Sequence, residues 1–337
     1  MVAVAVPLAR AQDAPHGTGI VRGTVRATTG ERIPYASVSI APAGRQRFAD
    51  DSGAFWLGNI APGRHRVLVR QIGFSPFDTT VVVLPEGEAV LAPQLTRIAV
   101  ELSAITVSAR TACERPGPPD PAIHPQLAAV FDQLRENAER YRLMADSYPA
   151  EYQMARGFGD LDATGETHVR YRDTVALRTD TRWHYAPGQV IAEEDHDGRL
   201  LLLLPTLPDL ADSAFQAGHC WYLPGLDTTA TEQLIRVDFV PPERLREPDV
   251  QGSAWLDPST YQLRRATVRL TNPSRADWRV RELTVAMTFR EIVPSLVLLE
   301  RMSAVTRTLR TLPGQRVRAE EQRLLAVHFL RPLSARE

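Results

Sequence analysis

Eight histidines and two cysteines are the side chains of this 337-residue chain best suited to metal or nucleophilic chemistry, so their spacing is where a reaction would first show. A catalytic zinc held by His-x-x-Glu and a distant His needs two imidazoles and a carboxylate around the metal, with one position left open. No histidine here has Glu three residues on, and His-Glu-x-x-His does not occur. His219-Cys220 sets a base beside a thiol, but neighbours on a strand point to opposite faces and share a proton poorly. Asp195-His196-Asp197-Gly198 has ligand-type side chains, yet it lies between Ile191 and Leu200, where a hairpin turn uses the same residues for backbone hydrogen bonds. Asp50-Asp51-Ser52-Gly53 reads the same way, because a calcium ion asks for six or more oxygens and a turn only for carboxylates that bond backbone N–H groups. Gly17-x-Gly19 is too short for a dinucleotide fingerprint, and no phosphate loop occurs. The expectation is a chain with no catalytic residue, no metal ligand and no cofactor.

Cys113 and Cys220 remain as a pair. Two readings stay open for them: a disulfide closing a loop of about a hundred residues, stabilising by on the order of 4 kcal/mol, or two separate buried thiols. The choice depends on compartment. Residues 2–11 form an apolar stretch ending in Ala9-Arg10-Ala11, which reads as the back half of a secretory signal with cleavage expected after Ala11. An exported chain favours the disulfide.

The elements that would position these residues are mainly strands. Val21-x-Gly23-x-Val25, Ile33-Pro34-x-Ala36-x-Val38, Asp50-Asp51-x-Gly53-x-Phe55, Ile60-x-Pro62-Gly63 and Ile72-Gly73-Phe74 are alternating segments punctuated by Gly and Pro at short intervals, the pattern of a β-sandwich. In this order and spacing they resemble the carboxypeptidase regulatory-like domain. That resemblance implies a seven-stranded transthyretin-like sandwich over 19–108, a binding or spacer unit that accompanies peptidases without being one. The closing pattern Glu101-Leu102-x-x-Ile105-x-Val107 is similar to the end of such domains where they precede other envelope modules, TonB-dependent transporter plugs included.

Residues 109–123 hold Arg115-Pro116-Gly117-Pro118-Pro119-Asp120-Pro121 and read as a stiff linker. Leu127, Val130, Phe131, Leu134, Ala138, Tyr141 and Leu143 then recur at near-helical spacing, which predicts an amphipathic helix over 124–147 with Arg135, Glu136, Glu139 and Arg140 on its wet side. Beyond it, alternation predicts strands at 151–156, 168–177, 188–193, 200–204, 233–239, 250–256, 261–270, 279–291, 296–308 and 316–329. Long antiparallel strands with one wet face make a large curved sheet over 124–333 whose apolar face the helix must cover. The arrangement is similar in architecture to lipoprotein-carrier half-barrels, and the order of its segments resembles two-domain envelope proteins that carry a regulatory-like unit.

Composition closes off other classes. Thirty-nine basic residues, none of them lysine, balance 40 acidic ones, so no general field gathers nucleic acid or anionic lipid. No segment reaches the length of ~18 apolar residues that a membrane-spanning helix needs. The sequence thus leads to a non-catalytic exported protein of the periplasm or outer-membrane surface, a binding or scaffold module for an envelope protein, glycan or lipid. Its alternatives are a carrier of an acyl chain, and an accessory of a carboxypeptidase or TonB-dependent system.

Overall fold

The computed structural model describes residues 17–98, 112–161, 167–179, 185–186, 188–194, 199–202, 209–210, 212–229, 232–293, 296–309 and 317–331. The expected signal segment, the Glu101–Val107 pattern and the turn at 195–198 lie outside these residues. The chain divides into two compact units between Thr96 and Arg97.

In the first unit β1 (Gly19–Thr24), β2 (Arg26–Ala27), β3 (Ser37–Ala41), β4 (Arg45–Phe48), β5 (Ala54–Ile60), β6 (Gly63–Arg70), β7 (Phe77–Val83), β8 (Glu88–Leu91) and β9 (Gln94–Leu95) follow one another. Seven of them make two sheets, ordered β5-β1-β8 and β4-β3-β6-β7, while β2 and β9 form a short ladder. Alternation dictates the packing: Val21, Phe55 and Leu57 from one sheet and Val38, Ile40, Val67 and Val69 from the other share a single buried core. The seven-stranded sandwich expected from the sequence is therefore present. Asp50 acts as a turn residue, its Oδ1 accepting from the N–H groups of Ser52 and Ala54 and from the Ser52 hydroxyl. Gly53 follows at φ +75°, where a Cβ would also meet the Val25 carbonyl at 2.9 Å.

The second unit runs α1 (Pro125–Ser147), β10 (Ala150–Leu161), β11 (Thr167–Arg178), the hairpin β12 (Ile191–Glu194) and β13 (Arg199–Leu202), α2 (Ser213–Gly218), β14 (Cys220–Thr228), β15 (Gln233–Val240), β16 (Asp249–Leu256), β17 (Leu263–Thr271), α3 (Pro273–Ala276), β18 (Val280–Val293), β19 (Leu296–Thr308) and β20 (Val317–Phe329). Nine strands form one sheet in the order β11-β10-β20-β19-β18-β17-β16-β15-β14. It is an antiparallel meander from β14 to β20, onto whose last strand the first hairpin of the unit, β10 with β11, adds its pairing. Extra residues on β14, β17, β18, β19 and β20 form bulges that bend these strands.

Register separates the two faces. Val237, Ala254, Ala266, Met287 and Met302 are direct cross-strand partners, all buried. One residue along, Arg236, Trp255 and Arg265 align on the other face, both guanidinium groups sitting 5.7 Å from the indole while its N–H donates to Asp227 at 2.8 Å. A one-residue slip would put these charges into the core, so register is tightly fixed.

Pro125 opens α1 at a position where its missing N–H costs nothing, and Pro149 follows its end. The helix crosses the sheet: Phe131 packs edge-on against Trp221 of β14 at 4.7 Å, and Tyr141, Met144 and Ala145 lie against Ile292, Leu298 and Phe329. Asn137 fastens its middle, donating to the Tyr261 carbonyl at 2.9 Å and accepting from the Leu263 N–H at 3.0 Å. The expected wet side is corrected here. Glu136 and Arg140 are buried, Arg140 only 2% exposed, and they pair one turn apart at 3.8 Å. The helix is enclosed on more than one flank, which the seven-residue pattern of apolar side chains does not show.

The turn between β16 and β17 gives a test in acid. Burial alone would raise the Asp257 pKa, but the hydroxyl and N–H of Ser259, the Thr260 N–H and nearby Arg264 hold it at about 2. An unfolded Asp titrates near ~3.9. The depressed folded value means that this carboxylate stabilises the unit above about pH 4 and stops doing so as pH falls toward about 2. Urea midpoints measured across this window should fall less steeply in Asp257→Asn than in the parent; identical slopes would remove Asp257 from the acid limb.

Candidate functional site

Cys113 and Cys220 form a disulfide, with Cα atoms 5.5 Å apart across a separation of 107 residues. The proline-rich stretch is fastened to β14 there, and again where the Gly117 N–H donates to the His219 carbonyl at 2.9 Å and the Tyr222 hydroxyl to the Ala112 carbonyl at 3.2 Å. Behind the bridge stands an aromatic cluster. Asp212 caps the short helix α2 by accepting from the Ala214 and Phe215 N–H groups, which delivers Phe215 into the interior. Phe215 stacks on His219 at 4.2 Å and meets Tyr185 and Phe239 edge-on at 4.9 and 5.4 Å.

His219, Asp249 and Tyr185 would be a proton-transfer set if a substrate could reach them. His219 and Asp249 are both 0% exposed, and their polar atoms are occupied by the fold. Nδ1 of His219 lies 2.8 Å from the Phe215 carbonyl oxygen and Nε2 3.0 Å from that of Val250. A neutral ring donates to one of these carbonyls and a protonated ring to both. Burial pushes the imidazole down from its usual value, against the pull of the two carbonyls and of Asp249. The Asp249 carboxylate accepts from the Tyr185 hydroxyl through both oxygens, at 2.9 and 2.8 Å, and from the Val250 N–H at 2.8 Å. Burial raises its pKa, and burial with the adjacent carboxylate raises that of Tyr185. This geometry ties α2, β14, β16 and residue 185 together. It clamps the interior and leaves no atom of the set aimed at a ligand.

The sequence singled out His219-Cys220 and missed Asp249 and Tyr185, which are 30 and 34 residues from His219 along the chain. Among the described residues no group of three or more His, Cys, Asp or Glu side chains is placed to hold a metal ion. No described helix is long and apolar enough to cross a membrane.

A surface of different character lies on the outer face of the three-stranded sheet. Arg22 of β1 is the cross-strand partner of Trp56 on β5 and of Val90 on β8. Trp56 and Val90 are large apolar side chains left 45% and 66% exposed. Beside this row is a shallow groove of about 430 Å³, with Thr24 and Ala54 along the strands and Arg26 and Gln94 also at its edge. Arg22 pairs with Glu88, and Arg26 donates to the Gly30 carbonyl at 2.9 Å. The sequence signal was an outward tryptophan on an alternating strand flanked two residues either way by Ala54 and Gly58.

Residues 20–96 match the carboxypeptidase regulatory-like domain family, a non-catalytic domain. No curated protein matches the chain. Among solved structures, a DUF1329 family protein from Desulfovibrio piger is 9% identical with a TM-score of 0.33, over 62% of this chain and 95% of that one. A LolA superfamily protein from Nitrosomonas europaea is 13% identical with a TM-score of 0.30, over 60% and 94%. 3-Chlorocatechol 1,2-dioxygenase from Rhodococcus opacus is 13% identical with a TM-score of 0.22; the match takes in 26% of this chain and spans only 62% of the dioxygenase.

Proposed function

We propose that this chain, whose residues 20–96 form a carboxypeptidase regulatory-like unit, is an exported, non-catalytic envelope protein. The open face of the first unit binds a partner or ligand, and the nine-stranded unit serves as a disulfide-braced scaffold. The observation that carries this reading is the placement of α1 across the sheet. The cavity between the C-terminal end of α1 and β18, β19 and β20, lined by Tyr141, Met144, Ile292, Leu298 and Phe329, measures about 10 Å³. That is room for about one water, whereas ligand pockets run to roughly 300–1,000 Å³. With α1 seated, an acyl chain has no place in this cavity, and His219, Asp249 and Tyr185 are engaged in holding the fold.

Native mass spectrometry of the full chain recovered from the periplasmic fraction tests this. The expected spectrum is the mass of the processed, oxidised chain without adducts. Co-purified lipid at near-stoichiometric occupancy would replace the scaffold reading with carriage, and turnover in a peptidase and esterase panel would replace it with an enzyme.

A further inference from the structure

Resting on the reading of the β5-β1-β8 face as the binding surface, the geometry points to an acidic saccharide as its ligand, with a sugar ring against the Trp56 indole and its carboxylate on Arg26. The orientation of the indole is the first reason. Gly58 follows two residues along the same face of β5 and has no side chain; a Cβ there would lie 2.4 Å from Cη2 and 2.8 Å from Cζ2 of Trp56. The ring therefore leans along the strand over bare backbone as an apolar plate, instead of standing away from the sheet. A sugar is apolar on the face of its C–H groups and polar at its rim, so it matches a plate bordered by hydrogen-bonding side chains. A protein anchor seeks a deep pocket that excludes water, and this groove is open.

The border supplies the second reason. Arg22, Thr24, Arg26 and Gln94 line the groove with donors, and Glu88 beside Arg22 adds acceptors on the same face. A guanidinium has five N–H donors, of which the contact of Arg26 with the Gly30 carbonyl takes one. The third reason is charge. The face holds two guanidinium groups; Glu88 pairs with Arg22, so one net positive charge remains, at Arg26 on the groove edge. Charge-assisted bonds from arginine favour a carboxylated sugar over a neutral one. The groove volume of about 430 Å³ lies within the range of small-ligand sites.

The test is isothermal titration of the full chain with tetragalacturonate, with maltotetraose as the neutral sugar and a glutamate-rich octapeptide as the other class of acidic ligand. Tetragalacturonate is expected to bind, about tenfold or more weakly in Trp56→Ala and in Arg26→Gln, and more weakly as salt rises from about 50 to about 300 mM. Val82→Ala, at an exposed position on the other sheet, should leave binding unchanged. Thermal melts matching the parent show that the variants fold. No binding of tetragalacturonate, equal binding of maltotetraose, or binding unaffected by Trp56→Ala overturns the inference. Binding of the peptide alone, lost in Trp56→Ala, overturns it too, but leaves the face as a binding surface and the proposed function intact.

Discussion

Replacing Cys113 and Cys220 together by alanine is expected to remove about 4 kcal/mol from the stability of the second unit, the effect of opening so long a loop in the chain-entropy picture. The loop between the two cysteines contains α1, β10, β11, the β12–β13 hairpin and α2, so the bridge restrains most elements that pack on the sheet before the meander begins. Both cysteines are buried, and alanine leaves a small gap without adding a buried hydroxyl. Urea unfolding followed by tryptophan fluorescence reads this unit mostly, because, of the described tryptophans, Trp221, Trp255 and Trp278 lie in it and only Trp56 in the first. The midpoint should drop while a transition assigned to the isolated sandwich stays in place. The same shift is expected on adding reductant to the parent. A loss below about 1 kcal/mol would mean that the unfolded chain is already held compact without the bridge, and the argument for a folded state that depends on an oxidising compartment would go with it.

The two units were legible to different degrees, and the reason is the range of the interactions that define them. In the first, each strand is bounded by its own punctuation: the Asp50–Gly53 turn, the Pro62-Gly63 corner, the Gly73 turn. Local signals marked five segments, and the count of seven strands came from the family resemblance; β4 and β8 were not read. In the second, alternation exposed most strands of the meander, since residues such as Val285 and Met287 repeat on one face regardless of what covers them. β14 was hidden because Pro224 and Gly225 interrupt its pattern; the fold absorbs them in a bulge between Tyr222 and Gly225 on an edge strand, where proline costs little. α2 is too short to show a period. Glu136 and Arg140 look like solvent-facing residues in any helical projection, and only the packing around α1 reveals that they are interior. The Trp56 face was not read from the sequence: alternation with Phe55 would mark Trp56 as outward, but its neighbours Arg22 and Val90 come from strands whose pairing no local motif announces.

Those long-range contacts carry the other large prediction, Asp249→Ala. Its carboxylate is the shared acceptor for the Tyr185 hydroxyl and the Val250 N–H, and it lies in the same buried field as His219. Deleting it strands two donors in the interior. Breaking a buried charge network from one side costs about 3–5 kcal/mol, and we expect the lower end, about 3 kcal/mol, because the groups left unpaired are a neutral hydroxyl and an N–H. Asp249→Asn keeps one acceptor oxygen and should cost about half as much. A double-mutant cycle with Tyr185→Phe separates the parts: with Asp249 present, losing the hydroxyl breaks its bonds to the carboxylate, and in the Asp249→Ala background the same change relieves an unpaired donor. The expected coupling is about 1–2 kcal/mol, read from urea midpoints at one pH. Additive losses would show that Tyr185 and Asp249 stabilise the unit independently, and the clamp joining residue 185 to β16 would then have to be sought in the edge-on packing of Tyr185 against Phe215 instead.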